Sequence, residues 1–317
     1  MKRAAYLILT VAGFFLLMEL ALRSAQFQAP ADVLDYRLKI SGELHGAPHP
    51  TRFWYLPDRE PHFPDGVYKI ACLADSVTVM DQGRGYPDDL SAALAAHGFG
   101  EPVSVFNAGV PEYSSYQGRL YLTEDLLPLK PDLVTIQYGV NDHWRARGGV
   151  ADKDVRMPDP QWLRRHRALT NLRSYQAIRA GVLALSKPQG PGPLRVGVED
   201  YRDNLRAMID DSREAGANVI LVLSPYLDLG HDQDWVPMHR RYNRVASAVA
   251  EEKGVPVVDV VDKLRFAPNL FMEPDTDQIH FNREAGRMIA DRIAETVVEK
   301  FLPERTDGQA PARAAGQ

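Results

Sequence analysis

Tyr68-Lys69-Ile70-Ala71-Cys72-Leu73-Ala74-Asp75-Ser76-Val77-Thr78 is the stretch from which the rest of the chain can be read. Its first seven residues make a short apolar run without the alternation of a half-exposed strand, so they predict a strand buried on both faces. The run then ends abruptly in polar residues. Downstream the same unit recurs, with helical spacing in between. Tyr86 to His97 predicts a helix, Val103 to Phe106 a strand, Tyr116 to Leu127 a helix and Leu133 to Tyr138 a strand. Tyr201 to Ala215 (helix), Asn218 to Leu223 (strand), Pro237 to Lys253 (helix), Val257 to Val261 (strand) and Arg283 to Phe301 (closing helix) complete the pattern. Short apolar strands alternating with amphipathic helices imply an α/β fold: a three-layer α/β/α sandwich around a five-stranded, mainly parallel sheet with right-handed crossovers. Ligands meet such sheets at the C-terminal ends of the strands. The residues to inspect therefore follow Ala74, Phe106, Tyr138 and the fifth strand.

Bulk properties agree with one sizeable folded domain. The chain has 317 residues, 45% hydrophobic and 25% charged, a globular composition. A net charge of -5 offers no basis for a nucleic-acid partner. The single cysteine, Cys72, excludes an internal disulfide and a cysteine-rich metal site.

The N-terminus sets the location. Lys2 and Arg3 precede an apolar run from Ala4 to Leu22, long enough as a helix to cross a bilayer core. Positive charge before the run orients the N-terminus to the cytoplasm and the remainder outside it, in the periplasm if the cell is Gram-negative. A retained transmembrane anchor is expected over residues 1–25, because Arg23 to Gln26 make a poor cleavage site; secretion after signal cleavage is the alternative. Glu19 lies towards the outer end, where it can reach the headgroups. Residues 26–66 read as a linker or irregular extension, 67–302 as the folded α/β domain with a basic insertion at 143–197, and 303–317 as a disordered tail. The insertion carries Arg145, Arg147, Lys153, Arg156, Arg164, Arg165, Arg167, Arg173, Arg179, Lys187 and Arg195 against Asp152, Asp154 and Asp159. It reads as a lid or pocket wall contacting an anionic glycan or lipid headgroups, or else as a solvated helix face.

Four polar blocks stand at the expected strand ends. Asp75 and Ser76 follow the first, Asn107, Ala108 and Gly109 the second, Gly139, Asn141 and Asp142 the third, and Asp277 and His280 precede the last helix. A hydroxyl, a histidine that can take its proton, a carboxylate to orient that histidine and an amide donor are the parts of nucleophilic acyl chemistry. Each block alone reads more readily as something plainer: the first as a turn or helix cap, the second and third as turns, and Asp277 with His280, three residues apart in a tight turn, as a surface pair. Scattered His45, His49 and His62, the loop residues His231, Asp232 and Asp234, and Trp144 and Trp162 have structural readings at least as good as functional ones.

Taken in order, the blocks resemble the SGNH (GDSL-like) hydrolase family through Asp75, Ser76 and Thr78, then Gly109, then Gly139, Asn141 and Asp142, then Asp277 and His280, with Gly286 fitting the packing of the last helix. The resemblance covers about Tyr68 to Phe301. It implies the flavodoxin-like SGNH hydrolase fold. Ser76 would be the nucleophile, His280 the general base and acid, and Asp277 its orienting carboxylate. The oxyanion would be held by the Ser76 and Gly109 N–H groups and the Asn141 amide, with Asp75 and Asp142 in support. No metal or organic cofactor is implied. The expected partners are an ester substrate, on a glycan, a lipid or a small molecule, and the membrane. Two other functions share this pattern: an O-acyltransferase acting on an extracytoplasmic polysaccharide, and a catalytically silent assembly or glycan-binding protein. Ala74 departs from the family, which usually has glycine there; the departure matters only if that position needs a positive φ.

Overall fold

A computed structural model describes residues 2–29, 46–79, 84–146, 149–185, 192–230 and 233–302. In chain order its elements are α1 (Lys2–Ser24), β1 (Ala47–His49), β2 (Phe53–Tyr55), β3 (Tyr68–Ala74), α2 (Tyr86–Ala96), β4 (Val103–Gly109), α3 (Ser115–Tyr121) and β5 (Leu133–Gln137). There follow α4 (Pro160–Leu169), α5 (Arg173–Leu185), α6 (Val198–Glu214), β6 (Asn218–Val222), α7 (Val236–Lys253), β7 (Val257–Val258), α8 (Val261–Leu264), β8 (Phe271–Glu273), β9 (Asp277–Phe281) and α9 (Arg283–Phe301). The chain divides into two compact units, Met1–Arg59 with Arg145–Pro193, and Glu60–Trp144 with Leu194–Gln317.

The second unit holds the sheet. Its five strands run in the order β4-β3-β5-β6-β7, every neighbouring pair parallel. This is the doubly wound order in which the chain reverses direction of growth between β3 and β5, so the ends of those two strands flank a natural crevice. Ile70 to Ala74 of β3 are fully buried, which explains the continuous apolar run: helices cover both faces. On one face Ile70, Cys72 and Ala74 join Tyr86, Leu90 and Leu94 of α2 and Ile289, Ala290, Ile293, Ala294 and Val297 of α9 in a single core. Burial of each large aliphatic chain there stabilises by roughly 1.5–3 kcal/mol. The other side has α6, with Tyr201, Leu205, Met208 and Ile209 buried, and α7, which ends on left-handed Gly254.

Four expectations shift. The second strand runs on to Gly109, so Asn107 to Gly109 lie inside β4 rather than beyond it. The helix expected from Tyr116 to Leu127 is α-helical only from Ser115 to Tyr121, then widens over Leu122–Leu126 and tightens over Leu127–Leu129, because Pro128 supplies no N–H and crowds the preceding turn. The fifth strand stops at Val258, since the Asp259 side chain accepts the Val261 N–H (2.9 Å) and starts α8 instead. The Asp277–His280 turn is strand β9, paired antiparallel to β8 through Phe271 with Phe281 and Glu273 with Asp277.

The first unit contains α1, the hairpin β1–β2, α4 and α5. α1 buries no residue. β1 pairs antiparallel with β2, His49 opposite Phe53, inside the stretch expected to be irregular. The tail 303–317 and the histidines His45 and His231, with Asp232, Arg147 and Lys187, lie outside the described residues.

Candidate active site

The exit of β3 is held by its own side chains. Asp75 accepts the Val77 N–H at Oδ1 (3.0 Å), capping a short 3-10 turn over Ser76–Thr78 that presents Ser76. Ala74, the departure from the usual glycine, pairs with Gly109 and Gln137 inside the sheet and is not among the residues of positive φ. The methyl group is accommodated in ordinary extended backbone.

Gly109 closes β4 against this turn. A Cβ there would stand 2.0 Å from Thr78 Oγ1, so close approach demands glycine. Asn107 clamps the two strand ends together: its Nδ2 donates to Thr78 O (2.7 Å), and its Oδ1 accepts from Thr78 Oγ1 (3.0 Å) and from the Gly109 N–H (3.0 Å). The Gly109 N–H therefore already has an acceptor, which an oxyanion would have to share or displace.

After β5, Gly139 turns the chain at φ 125. Asn141 donates one amide hydrogen to Tyr113 O (3.0 Å), which fixes the side chain and leaves its second hydrogen for a ligand. Asp142 is fully buried. It accepts from the Ser115 N–H (3.0 Å), from Ser115 Oγ (2.5 Å) and from the Gly139 N–H (3.2 Å), and Asn204 Nδ2 donates to Ser115 Oγ (3.0 Å). Ser115 and Asn204 carry no motif; only the packing of α3 and α6 brings them to Asp142.

The fourth block arrives on the β8–β9 hairpin, fastened to the loop after β6 by the Leu227 N–H donating to Gln278 O (2.8 Å). His280 Nε2 lies 2.8 Å from Ser76 Oγ, and His280 Nδ1 lies 2.5 Å from Asp277 Oδ2. Asp277 Oδ1 accepts the Ile279 and His280 N–H groups, each at 3.0 Å. With a carboxylate at Nδ1, that nitrogen carries the proton and Nε2 offers its lone pair to the serine. Burial opposes ionisation of Asp277, but the hydrogen bonds and charge of His280, with the two backbone donors, outweigh it and hold the carboxyl below its ordinary value.

Asp75 behaves oppositely. Burial pushes it up to about 7, and its Oδ2 has no hydrogen-bond partner among the described residues. Beside Asp142 stands a pair of imidazoles that the sequence reading missed. His143 Nε2 lies 3.2 Å from His239 Nδ1, and His239 Nε2 donates to Ser224 O (2.9 Å). Burial lowers His143 to about 3, aided by His239, and burial lowers His239 to about 4, so both are neutral near pH 7. Trp235 stacks on His143 at 6.2 Å and 6°, and Trp144 packs beside it at 4.7 Å. Adjacency to Asp142 was the only trace of His143 in the sequence. Cys72 is fully buried, its thiol raised to about 12 by burial, hence inert. Among the described residues no group of three or more His, Cys, Asp or Glu is set to hold a metal ion.

Ser76, Gly109, Asn141, Asp142, Asp75, Asp277 and His280, scattered over some two hundred positions, thus belong to one compact unit. The family model described as the GDSL-like Lipase/Acylhydrolase family matches residues 72–287. No curated protein sequence matches the chain. Among solved structures, the chain is similar to a lipase/acylhydrolase from Enterococcus faecalis at 22% identity and a TM-score of 0.49, covering 72% of this chain and 94% of that one. It is also similar to an acetylxylan esterase from Geobacillus stearothermophilus at 22% identity and a TM-score of 0.47, covering 74% and 93%. Because the family match takes in well over half of the chain and all four blocks, the chain belongs to the GDSL-like Lipase/Acylhydrolase family and is a hydrolase of ester bonds.

Proposed function

We propose that the protein is a membrane-anchored, extracytoplasmic serine esterase that cleaves carboxylic esters of a glycan, a lipid or a small molecule through Ser76, His280 and Asp277. One observation carries this reading: the unbroken line from Ser76 Oγ to His280 Nε2 (2.8 Å) and from His280 Nδ1 to Asp277 Oδ2 (2.5 Å). In the first step His280 Nε2 takes the hydroxyl proton as Ser76 Oγ attacks the ester carbonyl carbon. Asp277, kept ionised, holds the imidazole tautomer and stabilises the imidazolium. The oxyanion is received by the Ser76 and Gly109 N–H groups and the second Asn141 amide hydrogen. His280 then protonates the departing alcohol, and a water activated by the same imidazole releases the acid.

The location rests on α1. Its 23 residues reach about 34 Å at roughly 1.5 Å per residue, its apolar side chains are exposed, and Lys2 and Arg3 mark the cytoplasmic end.

Hydrolysis of a chromogenic acetyl ester by the full chain in detergent tests the chemistry. Turnover should vanish in Ser76→Ala with the circular dichroism unchanged; a variant as active as its parent sinks the assignment. A reporter that works only outside the cytoplasm, fused after Gln317, should be active. A stable but silent fusion reverses the topology.

A further inference from the structure

The apolar helix is fastened to the insertion by its one acidic residue. Glu19 lies on α1 about 7 Å before the helix end, at roughly 1.5 Å per residue. Its Oε1 accepts the Arg173 N–H (3.1 Å), and its Oε2 accepts the Ser174 N–H (2.8 Å) and Ser174 Oγ (2.8 Å). Arg23 Nε donates to Glu19 Oε1 (2.7 Å) and its guanidinium also reaches Asn171 O (3.1 Å). Beyond α1, the Ala29 N–H donates to Gln176 Oε1 (3.2 Å). Glu19 is thus the N-terminal cap of α5, supplied from 154 residues away in the sequence. A carboxylate in an apolar span is costly unless its oxygens are satisfied; here the first turn of α5 and Arg23 satisfy them. The start of α5 is therefore held at the depth of Glu19, at the edge of any bilayer that α1 enters.

The rest of α5 is built for such a boundary. Past Gln176 one face of the helix is apolar and exposed: Ile178 is 46% exposed, Val182 56% and Leu185 91%. Val182 and Leu185, four and seven residues on from Ile178, lie within about 40° of it around the helix axis. Trp162 of α4 is 39% exposed, with the Arg179 guanidinium 5.9 Å from its ring centre. Trp and Arg beside exposed aliphatic chains are the composition of an interfacial helix.

We infer that α5 is a second membrane-contacting element, lying in the outer leaflet with Ile178, Val182 and Leu185 among the acyl chains, held at that depth by Glu19. This rests on the reading of α1 as an anchor, and the test separates the two. The full chain is reconstituted in phosphatidylcholine vesicles containing acyl-brominated lipid. An environment-sensitive thiol probe is placed in turn at Leu17→Cys on α1 and at Val182→Cys and Leu185→Cys on α5; native Cys72 is buried and does not compete. Quenching and a blue shift are expected at 17, 182 and 185. In a Glu19→Ala background the quenching at 182 and 185 should be lost while that at 17 persists. Quenching at 17 with none at 182 and 185 overturns the inference and leaves the anchor standing, whether protein or a second copy covers α5 instead. No quenching at 17 removes the anchor and the inference together. Quenching at 182 and 185 that survives Glu19→Ala overturns the role given to Glu19.

Discussion

The two sides of the site are built differently. The sheet side comprises the ends of β3, β4 and β5. There Asp75, Ser76, Asn141 and Asp142 are buried and bound to backbone or to neighbouring side chains. The hairpin side, β8–β9, brings Asp277 and His280, both still partly open to solvent. Each side carries an aspartate, and the two ionise in opposite directions. Asp277 has a histidine and two backbone donors and is held low; Asp75 has one backbone donor and an oxygen without a partner among the described residues, and is pushed up to about 7. Burial opposes charge in both, but it is complete at Asp75 and partial at Asp277, and only Asp277 has a hydrogen-bonded imidazole beside it; depth of burial and partners together decide the outcome. On the proposed mechanism this is a division of labour: the buried side would fix where the carbonyl sits, and the peripheral side would supply the charge that changes during reaction.

Breaking the hairpin side should have the largest effect on turnover. Asp277→Asn keeps the shape but removes the carboxylate that sets the His280 tautomer, and kcat should fall by about 10⁴-fold. A loss under tenfold would mean that His280 is oriented by something else. On the sheet side, Asn141→Ala removes one oxyanion donor and should cost on the order of 10²–10³ in kcat with little change in KM; a pure KM effect would make Asn141 a binding group.

Asp142→Asn places an amide donor among the N–H and hydroxyl donors of Gly139 and Ser115. Stability should drop by about 1–3 kcal/mol in chemical denaturation, while the folded fraction keeps more activity than Asn141→Ala. Equal losses of activity would move Asp142 into the chemistry. The smallest effect is expected at Asp75. Its folded value, raised above the ordinary 3.8 to about 7, means that the folded chain keeps a proton the unfolded chain releases. That stabilisation is complete below about pH 4 and is lost as pH rises through about 7. Asp75→Asn stays neutral and still offers an oxygen to the Val77 N–H. Its melting temperature should therefore decline less between pH 4 and 7 than that of the parent, with turnover nearly unchanged. An identical decline would locate the titration elsewhere.

The two sides also differ in how far they could be read in advance. β3 is readable to the residue, because a strand covered on both faces is apolar over its buried part, Ile70 to Ala74. The positions of Ser76, Gly109 and Asn141 followed from strand ends. By local pattern the hairpin reads as a turn: β8 is three residues long, Asp277 is a poor strand former, and only pairing with Phe271–Glu273 makes the segment extended. Val257 to Val261 misled in the other direction, since Asp259 redirects a β-branched run into a helical turn. Ser115, Asn204, His143 and His239 left no pattern, because their partners lie on elements distant in sequence.

By itself the sequence determined the alternation of buried strands and amphipathic helices, the apolar N-terminal helix and the residue types available at each strand end, since these depend on local periodicity and composition. Only the tertiary structure decided that His280 reaches Ser76, that Asp75 and Asp277 ionise in opposite directions, and that Glu19 caps α5. Those outcomes depend on distances and solvent exclusion between segments far apart in the chain, which no local pattern encodes.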